Sequence, residues 1–398
     1  MTPDASLNGE GHLSIVGDDG LVFVPRTQLL YALNTSATFI WCCLEEGRSA
    51  AETIAALQAT FGIGAAQARE FLEDALALWR GWGVLAGSAP QQAAADSAPS
   101  PALPAQGAPL PADAPARLRL EDRYRLLDGT AVLRFEDDAS RARIHPILAH
   151  LHREADDAPP AVTIAILRDG ADYAVYRDGR RYGGAFPLDR LGPLVKGHVW
   201  QACLAATRHL LNIHAGAVAD SGGCILLPGQ PGSSKSTLSA ALGRSGFTFL
   251  SDEVALLTQP ELRVRPVPLS FCVKSTGWDV LAPLYPELAT RDVHNRGDGK
   301  VVRYVPPPVE AATLRADYDV TRVVFPRYVP GGATALRPVA PVEGLRRLLS
   351  ECVSTPEGLS VPMIETLVAW VERVRFWELD QSDLGAAIEA IRATRDAA

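Results

Sequence analysis

Cys224-Ile-Leu-Leu-Pro-Gly-Gln-Pro-Gly-Ser-Ser-Lys-Ser-Thr-Leu238 decides how the rest of the chain is read. An apolar strand runs into a tight Gly/Pro/Ser loop, and the loop runs into the first turn of a helix. In that setting backbone N–H groups of the loop and the helix start converge on an anion. A lysine then reaches the terminal phosphates and a hydroxyl faces Mg²⁺. Residues 229–237 supply such a loop. Gly229, Gln230, Pro231, Gly232, Ser233 and Ser234 form the turn, Lys235 is the phosphate lysine, Ser236 the metal-side hydroxyl, and Thr237 the next helical residue. Ser234 stands where this P-loop pattern usually has glycine, so a positive φ there is expected to cost on the order of 1 kcal/mol. Lysine is otherwise scarce: the chain has four, at 196, 235, 274 and 300.

Working outward, Leu238, Ala241 and Leu242 mark the inward face of the helix, and Phe247–Leu250 reads as the next strand. That strand ends in Ser251-Asp252-Glu253. An acidic pair at the end of a strand beside a phosphate loop suits Mg²⁺ binding or acceptance of a proton from an attacking hydroxyl. On the other side, Asn212-Ile-His-Ala-Gly-Ala-Val-Ala219 reads as one strand that turns through Asp220–Gly223 into the loop strand. Lys274 and Arg303 are further cations suited to phosphate oxygens.

The order of His-bearing strand, hairpin, loop strand, short helix and acidic-pair strand resembles the catalytic domain of HPr kinase/phosphorylase and related kinases. The resemblance is strong over 212–258 and diffuse over the rest of 117–398. It implies a P-loop kinase domain that uses ATP and Mg²⁺. Asp252 would be the general base, Ser236 and Glu253 the metal-side groups, and His214 a polar group beside the site. The sequence departs from that family at Ser234 and at Glu253, where the bacterial enzymes carry a second Asp, and it lacks their glycine-rich signature beyond the acidic pair.

Residues 1–87 form a separate unit. His12–Val16, Leu21–Val24 and Gln28–Leu33 read as short strands. Asn34 caps a helix through Cys43, Ser49 and Glu52 form a capping box for a second, and a third runs from Ala65 to Trp82 with Phe71, Leu72, Ala75, Leu76, Leu78 and Trp79 on its apolar side. Three strands with three helices make a winged-helix arrangement. DNA binding is disfavoured by charge: four arginines face ten carboxylates in this unit, whereas phosphate contacts need the opposite sign. Leu33-Asn-Thr-Ser-Ala-Thr-Phe-Ile-Trp41 and the closing Trp82-Gly-Val-Leu85 resemble the PqqD family of precursor-peptide recognition domains. That resemblance implies capture of a leader peptide as an added strand at the edge of Gln28–Leu33, packed against the third helix.

Residues 88–116, rich in Ala, Pro, Gln and Ser, read as a disordered tether between the units, and 117–398 as the α/β kinase-like domain. In the latter, Arg117–Leu120, Ala131–Phe135, Val162–Leu167, Tyr173–Arg177 and Arg181–Ala185 are expected strands. Leu188–Leu211 and Val361–Phe376 are expected helices. His145, His150 and His152 read as ordinary polar residues. The six cysteines lack metal spacing. The net charge of −8 gives no reason to expect nucleic acid or membrane as partner, and no apolar run reaches spanning length. A cytoplasmic protein, with homo-oligomerisation open, is the expectation. The function expected is ATP-dependent phosphorylation of a Ser or Thr hydroxyl on a ribosomally made precursor peptide. The alternatives are a nucleotide-binding peptide carrier without transfer and a kinase of small metabolites.

Overall fold

The computed structural model of the protein describes residues 6–88, 107–154, 158–229, 232–308, 317–356 and 358–395. The N-terminal unit pairs β1 (His12–Val16), β2 (Asp19–Val24) and β3 (Leu29–Leu33) as an antiparallel sheet in that order, with β3 at one edge. Three helices follow: α1 (Thr35–Glu45), α2 (Ala50–Phe61) and α3 (Ala65–Trp82). The caps form as their residue types dictate. Asn34 accepts from the Ala37 N–H, and Ser49 and Glu52 close a reciprocal capping box. Trp41 and Trp79 meet edge to face at 5.0 Å in the core of this unit. Leu78, expected on the apolar side, is 61% exposed.

The sheet does not stand apart from the rest of the chain. Val16 and Leu21 belong to one core with Leu345, Leu348, Leu367 and Trp370. Those residues lie on α7 (Pro341–Ser350) and α8 (Val361–Val371). The Gln28 side-chain amide both donates to the Leu359 carbonyl (3.1 Å) and accepts from the Leu359 N–H (2.6 Å). The expected tether also shortens. Residues 89–106 lie outside the described residues, but Leu110 N–H donates to Gly179 O and Arg181 N–H to Ala108 O, and Ala114–Arg117 forms a helical turn.

The first layer of the larger unit is a sheet of β4 (Leu120–Leu126), β5 (Gly129–Phe135), β6 (Val162–Asp169), β7 (Asp172–Arg177) and β8 (Arg180–Phe186) in spatial order, with the short strand His152–Arg153 beyond β4. Its apolar face is covered by α4 (Asp138–Leu148) and α5 (Leu188–Ala205). The expected strand at Arg117–Leu120 starts only at Leu120, because Pro115 opens a helical turn before it. The expected helix to Leu211 stops at Ala205, and Leu211 already belongs to a strand.

The second layer holds the loop. Its sheet contains β10 (Ala215–Asp220), β11 (Gly223–Pro228), β12 (Thr248–Ser251), β16 (Val320–Tyr328), β17 (Ala335–Val339) and β19 (Arg375–Gln381), in the spatial order β12-β10-β11-β16-β19-β17. The β11–β16 and β16–β19 pairs are parallel. The expected helix Val361–Phe376 stops at Val371, and its last two residues, Arg375 and Phe376, already belong to β19. Phe376, Leu379 and Gln381 are buried in it, and pairing along β16 from Arg375 to Gln381 fixes the strand. Alongside, β9 (Leu211–Ile213), β13 (Ala255–Thr258) and β18 (Cys352–Ser354) form a small antiparallel sheet with Arg263–Arg265. The strands β14 (Phe271–Lys274) and β15 (Val301–Val305) pair with His294–Asn295 in a third sheet.

Candidate functional site

The site forms where two strands change sheet. The stretch expected as one strand over 212–219 is β9 and β10, in different sheets, with His214 at the break. The neighbouring stretch breaks the same way: β12 ends at Ser251 and β13 starts at Ala255, so Asp252, Glu253 and Val254 lie between sheets. Ala217 pairs with Ser251 and Ile213 with Ala255, which brings the two breaks side by side. His214 donates its backbone N–H to the Glu351 carbonyl at 2.8 Å.

The loop after β11 leads into α6 (Lys235–Arg244), with Lys235 as its first residue. Gly232 has φ +100°, a conformation open to glycine and strained for other residues. Ser234 has φ +67° and ψ 21°, so the serine does occupy the left-handed region. Ser234→Gly is therefore expected to raise stability by about 1 kcal/mol, read as an upward shift of the denaturant midpoint. An unchanged midpoint would mean that other contacts hold the turn. Lys235 is buried and donates its ammonium to the Gly229 carbonyl. Burial, reinforced by the Lys274 charge, holds its pKa below the usual lysine value. Gln230 and Pro231 lie outside the described residues.

A cavity of about 340 Å³ opens over this loop. Gly232, Ser234, Lys235, Ser236 and Thr237 line it from one side, and His214, Asp252 and Glu253 from the other. Ser233 does not line it, and its hydroxyl is buried without a hydrogen-bond partner among the described residues. Lys274 at the end of β14 reaches the cavity, whereas Arg303 does not: its guanidinium lies 4.2 Å over the Trp278 ring and donates to the Leu288 carbonyl. Arg296 and Lys300, on the hairpin before β15, complete a set of four cations against two carboxylates. Such a balance, in a chain of net charge −8, suits a polyphosphate.

Reasoning from sequence missed Lys196, Arg296 and Lys300. Lys196 projects from α5, is 4% exposed, and donates to Glu253 Oε2 at 3.1 Å. Its ammonium also lies 5.3 Å over the Tyr304 ring. Burial alone would lower the Lys196 pKa, but the Glu253 and Asp252 charges outweigh it and hold the group protonated. Asp252 is 3% exposed, and burial pushes its carboxyl up to about 7 against the pull of Lys196. Glu253, held mainly by Lys196, is shifted the opposite way. Two adjacent carboxylates thus part into one easily protonated and one firmly ionised group. His214 is kept neutral by burial and by the charges of Lys235 and Lys274. For the two missed lysines the signal was the lysine count: all four lysines of the chain line this cavity or the one adjoining it, whereas Arg296 carried no such signal.

Asp252 Oδ1 is buried and has no hydrogen-bond partner among the described residues. Its ring of neighbours fits a metal ion or a hydroxyl at that oxygen, since such an atom is costly to leave alone. The three histidines at 145, 150 and 152 are occupied otherwise. His145 and His152 flank Asp122, which Arg141 grips with two hydrogen bonds, and His150 bonds the Pro268 carbonyl. Among the described residues no group of three or more His, Cys, Asp or Glu side chains is placed to hold a metal ion, here or elsewhere, and no helix is long and apolar enough to cross a membrane.

Comparison with known proteins adds to the N-terminal unit. The comparison with curated proteins returns no match. A solved structure described as "TbiB1 in Complex with the TbiA(beta) Leader Peptide" is similar at 21% identity and a TM-score of 0.20, over 21% of this chain and 98% of that one. Residues 20–85 match the family of coenzyme PQQ synthesis protein D (PqqD).

Proposed function

We propose that the protein is an ATP-dependent kinase that phosphorylates a Ser or Thr hydroxyl of a ribosomally made precursor peptide, held through its leader by the N-terminal unit. One observation carries the catalytic half: a strand–loop–helix lysine and a buried carboxylate oxygen without a partner border one cationic cavity. In this reading Lys235 and the N–H groups at the start of α6 hold the terminal phosphates. Ser236 and Glu253 would hold Mg²⁺, which neutralises phosphate charge when bound. Asp252 accepts the hydroxyl proton. The bond from the acceptor oxygen to the γ-phosphorus forms while the bond to the bridging oxygen breaks, and ADP leaves. Lys235→Ala is expected to weaken binding of a fluorescent ATP analogue about 100-fold, while Ser245→Ala, at the far end of the helix, leaves it unchanged. Equal affinities would remove the loop from nucleotide binding.

The recognition half rests on the PqqD match and on β3. Among the described residues no strand pairs with its outer edge, so its backbone groups there are available for an added strand. Trp82 stacks on Tyr31 of β3 at 3.9 Å, which sets the helical row Phe71, Ala75, Leu78, Trp82 beside that edge. Exposure of Leu78 then has a use as a contact for the captured peptide. Leu78→Glu is expected to weaken leader-peptide binding at least tenfold in fluorescence anisotropy without changing the melting temperature, because the side chain is exposed in the free protein. Unchanged affinity would move the peptide elsewhere.

A further inference from the structure

A second cavity, of about 320 Å³, adjoins the cationic one and shares Glu253, Cys272 and Arg296 with it. One wall is a face of α5 carrying Arg190, Leu194 and Trp200, and the opposite wall holds Phe186 and Tyr304. Its charges are mostly satisfied within the fold. Lys196 is held by Glu253, and Arg296 lies 3.2 Å from Asp298 and 3.4 Å from the Cys272 sulfur. Arg190 is different: it is exposed, lines the cavity, and has no carboxylate partner among the described residues.

We infer that this second cavity is the acceptor subsite. Its occupant is a peptide segment with a large apolar or aromatic side chain next to the accepting hydroxyl and a carboxylate within reach of Arg190. The inference rests on the kinase reading for the word acceptor. The loop cavity is taken up by phosphates, and an in-line attack requires the hydroxyl to arrive from the side opposite the leaving group. A route must therefore reach the acidic pair without crossing the phosphate loop. The second cavity meets that requirement at Glu253, the residue after Asp252. Its three aromatic rings offer an apolar seat, and the free guanidinium selects for negative charge, since Arg binds carboxylate in a paired fork. A lysine at the same place in the peptide would face Arg190 and be rejected.

The test titrates full-length protein, saturated with Mg²⁺ and non-hydrolysable AMP-PNP, with short neutral-dye-labelled probes. These contain Phe-Ser-Asp or Phe-Ser-Lys, each also made in the reversed order. The Asp probe is expected to bind at least tenfold more tightly than the Lys probe in one of the two orders. Arg190→Glu should invert that preference, and Trp200→Ala should weaken both probes about tenfold while AMP-PNP affinity stays within twofold. Equal affinity for all probes, a preference unchanged in Arg190→Glu, or probe binding that is lost on saturation with AMP-PNP but present in the nucleotide-free protein would overturn the subsite. The same probes incubated with ATP separate the two readings. Arg190-dependent binding without phosphorylation keeps the subsite and removes the kinase. Phosphorylation without any Asp preference keeps the kinase and removes the subsite.

Discussion

Asp252→Asn is expected to lower phosphoryl transfer by about 10³-fold while nucleotide affinity changes less than about threefold, since general-base assistance of this kind contributes roughly 10²–10⁴ in rate. Asparagine has the same shape and fits the same break between β12 and β13, so the fold is kept. The variant also has a stability signature. In the native protein the Asp252 carboxyl binds its proton up to about pH 7, well above the unfolded value of about 3.9. Such a group favours the folded state fully below the unfolded pKa, and that benefit is lost as pH rises through the folded pKa. Above pH 7 the ionised, buried carboxylate therefore opposes folding, and Asp252→Asn is expected to melt no lower than the wild type at pH 8. Residual transfer near the wild-type rate would remove Asp252 as the base. A melting temperature that falls at pH 8 would mean that the carboxylate is better solvated than its burial implies.

Lys196→Met gives the second large effect, and its readout is a pH profile. Lys196 acts through the carboxylates and does not itself touch the phosphate loop, so it is a positioning residue. Its positive charge holds the Asp252 pKa down and keeps Glu253 ionised. Methionine fills much of the same volume and removes the charge. The acid limb of kcat/KM, expected near pH 7 in the wild type, should move upward, with a loss of roughly 10²-fold at pH 7. Stability should fall by about 2 kcal/mol, less than the 3–5 kcal/mol typical of breaking a fully buried pair, because the Glu253 side chain remains 38% exposed and can be solvated. A purely structural Lys196 would lower stability and leave the limb in place.

The local signals in the chain were strong wherever one short segment carries its own physics. Asn34, the Ser49–Glu52 box and the strand–loop–helix at 223–244 are local patterns, and each element formed where those residues placed it. Ser234 in the left-handed region followed from the spacing to Lys235 alone. What the sequence hid depends on contacts distant along the chain. The 375–381 stretch became a strand because β16 was there to pair with it. The stretch 212–219 reads as one strand, yet the two sheets divide it at His214. Lys196 and Glu253 are 57 residues apart, and no spacing rule relates a lysine within α5 to an acidic pair at a strand end. Arg303, with the residue type expected of a phosphate ligand, was claimed instead by Trp278 and the Leu288 carbonyl. Lysine scarcity was the one global signal that pointed to the missed Lys196 and Lys300, because a rare residue type gathered at one place reports on that place.

Docking of β1 and β2 against α7 and α8 changes how the N-terminal unit is tested. Removing residues 1–87 would strip Val16 and Leu21 from a shared core and expose apolar surface on both helices, so a deletion confounds peptide capture with folding. Exposed positions such as Leu78 leave that core intact.

The central claim is phosphoryl transfer to a peptide, and intact-mass spectrometry tests it most directly. The full-length protein is incubated with ATP, Mg²⁺ and a precursor peptide encoded beside its gene. A gain of about 80 Da on the peptide, the mass of one phosphoryl group, located by fragmentation at a Ser or Thr and absent with Asp252→Asn, is the result this account predicts. An unmodified peptide, under conditions where both the peptide and ATP are bound, would contradict it and leave a nucleotide-binding peptide carrier in its place.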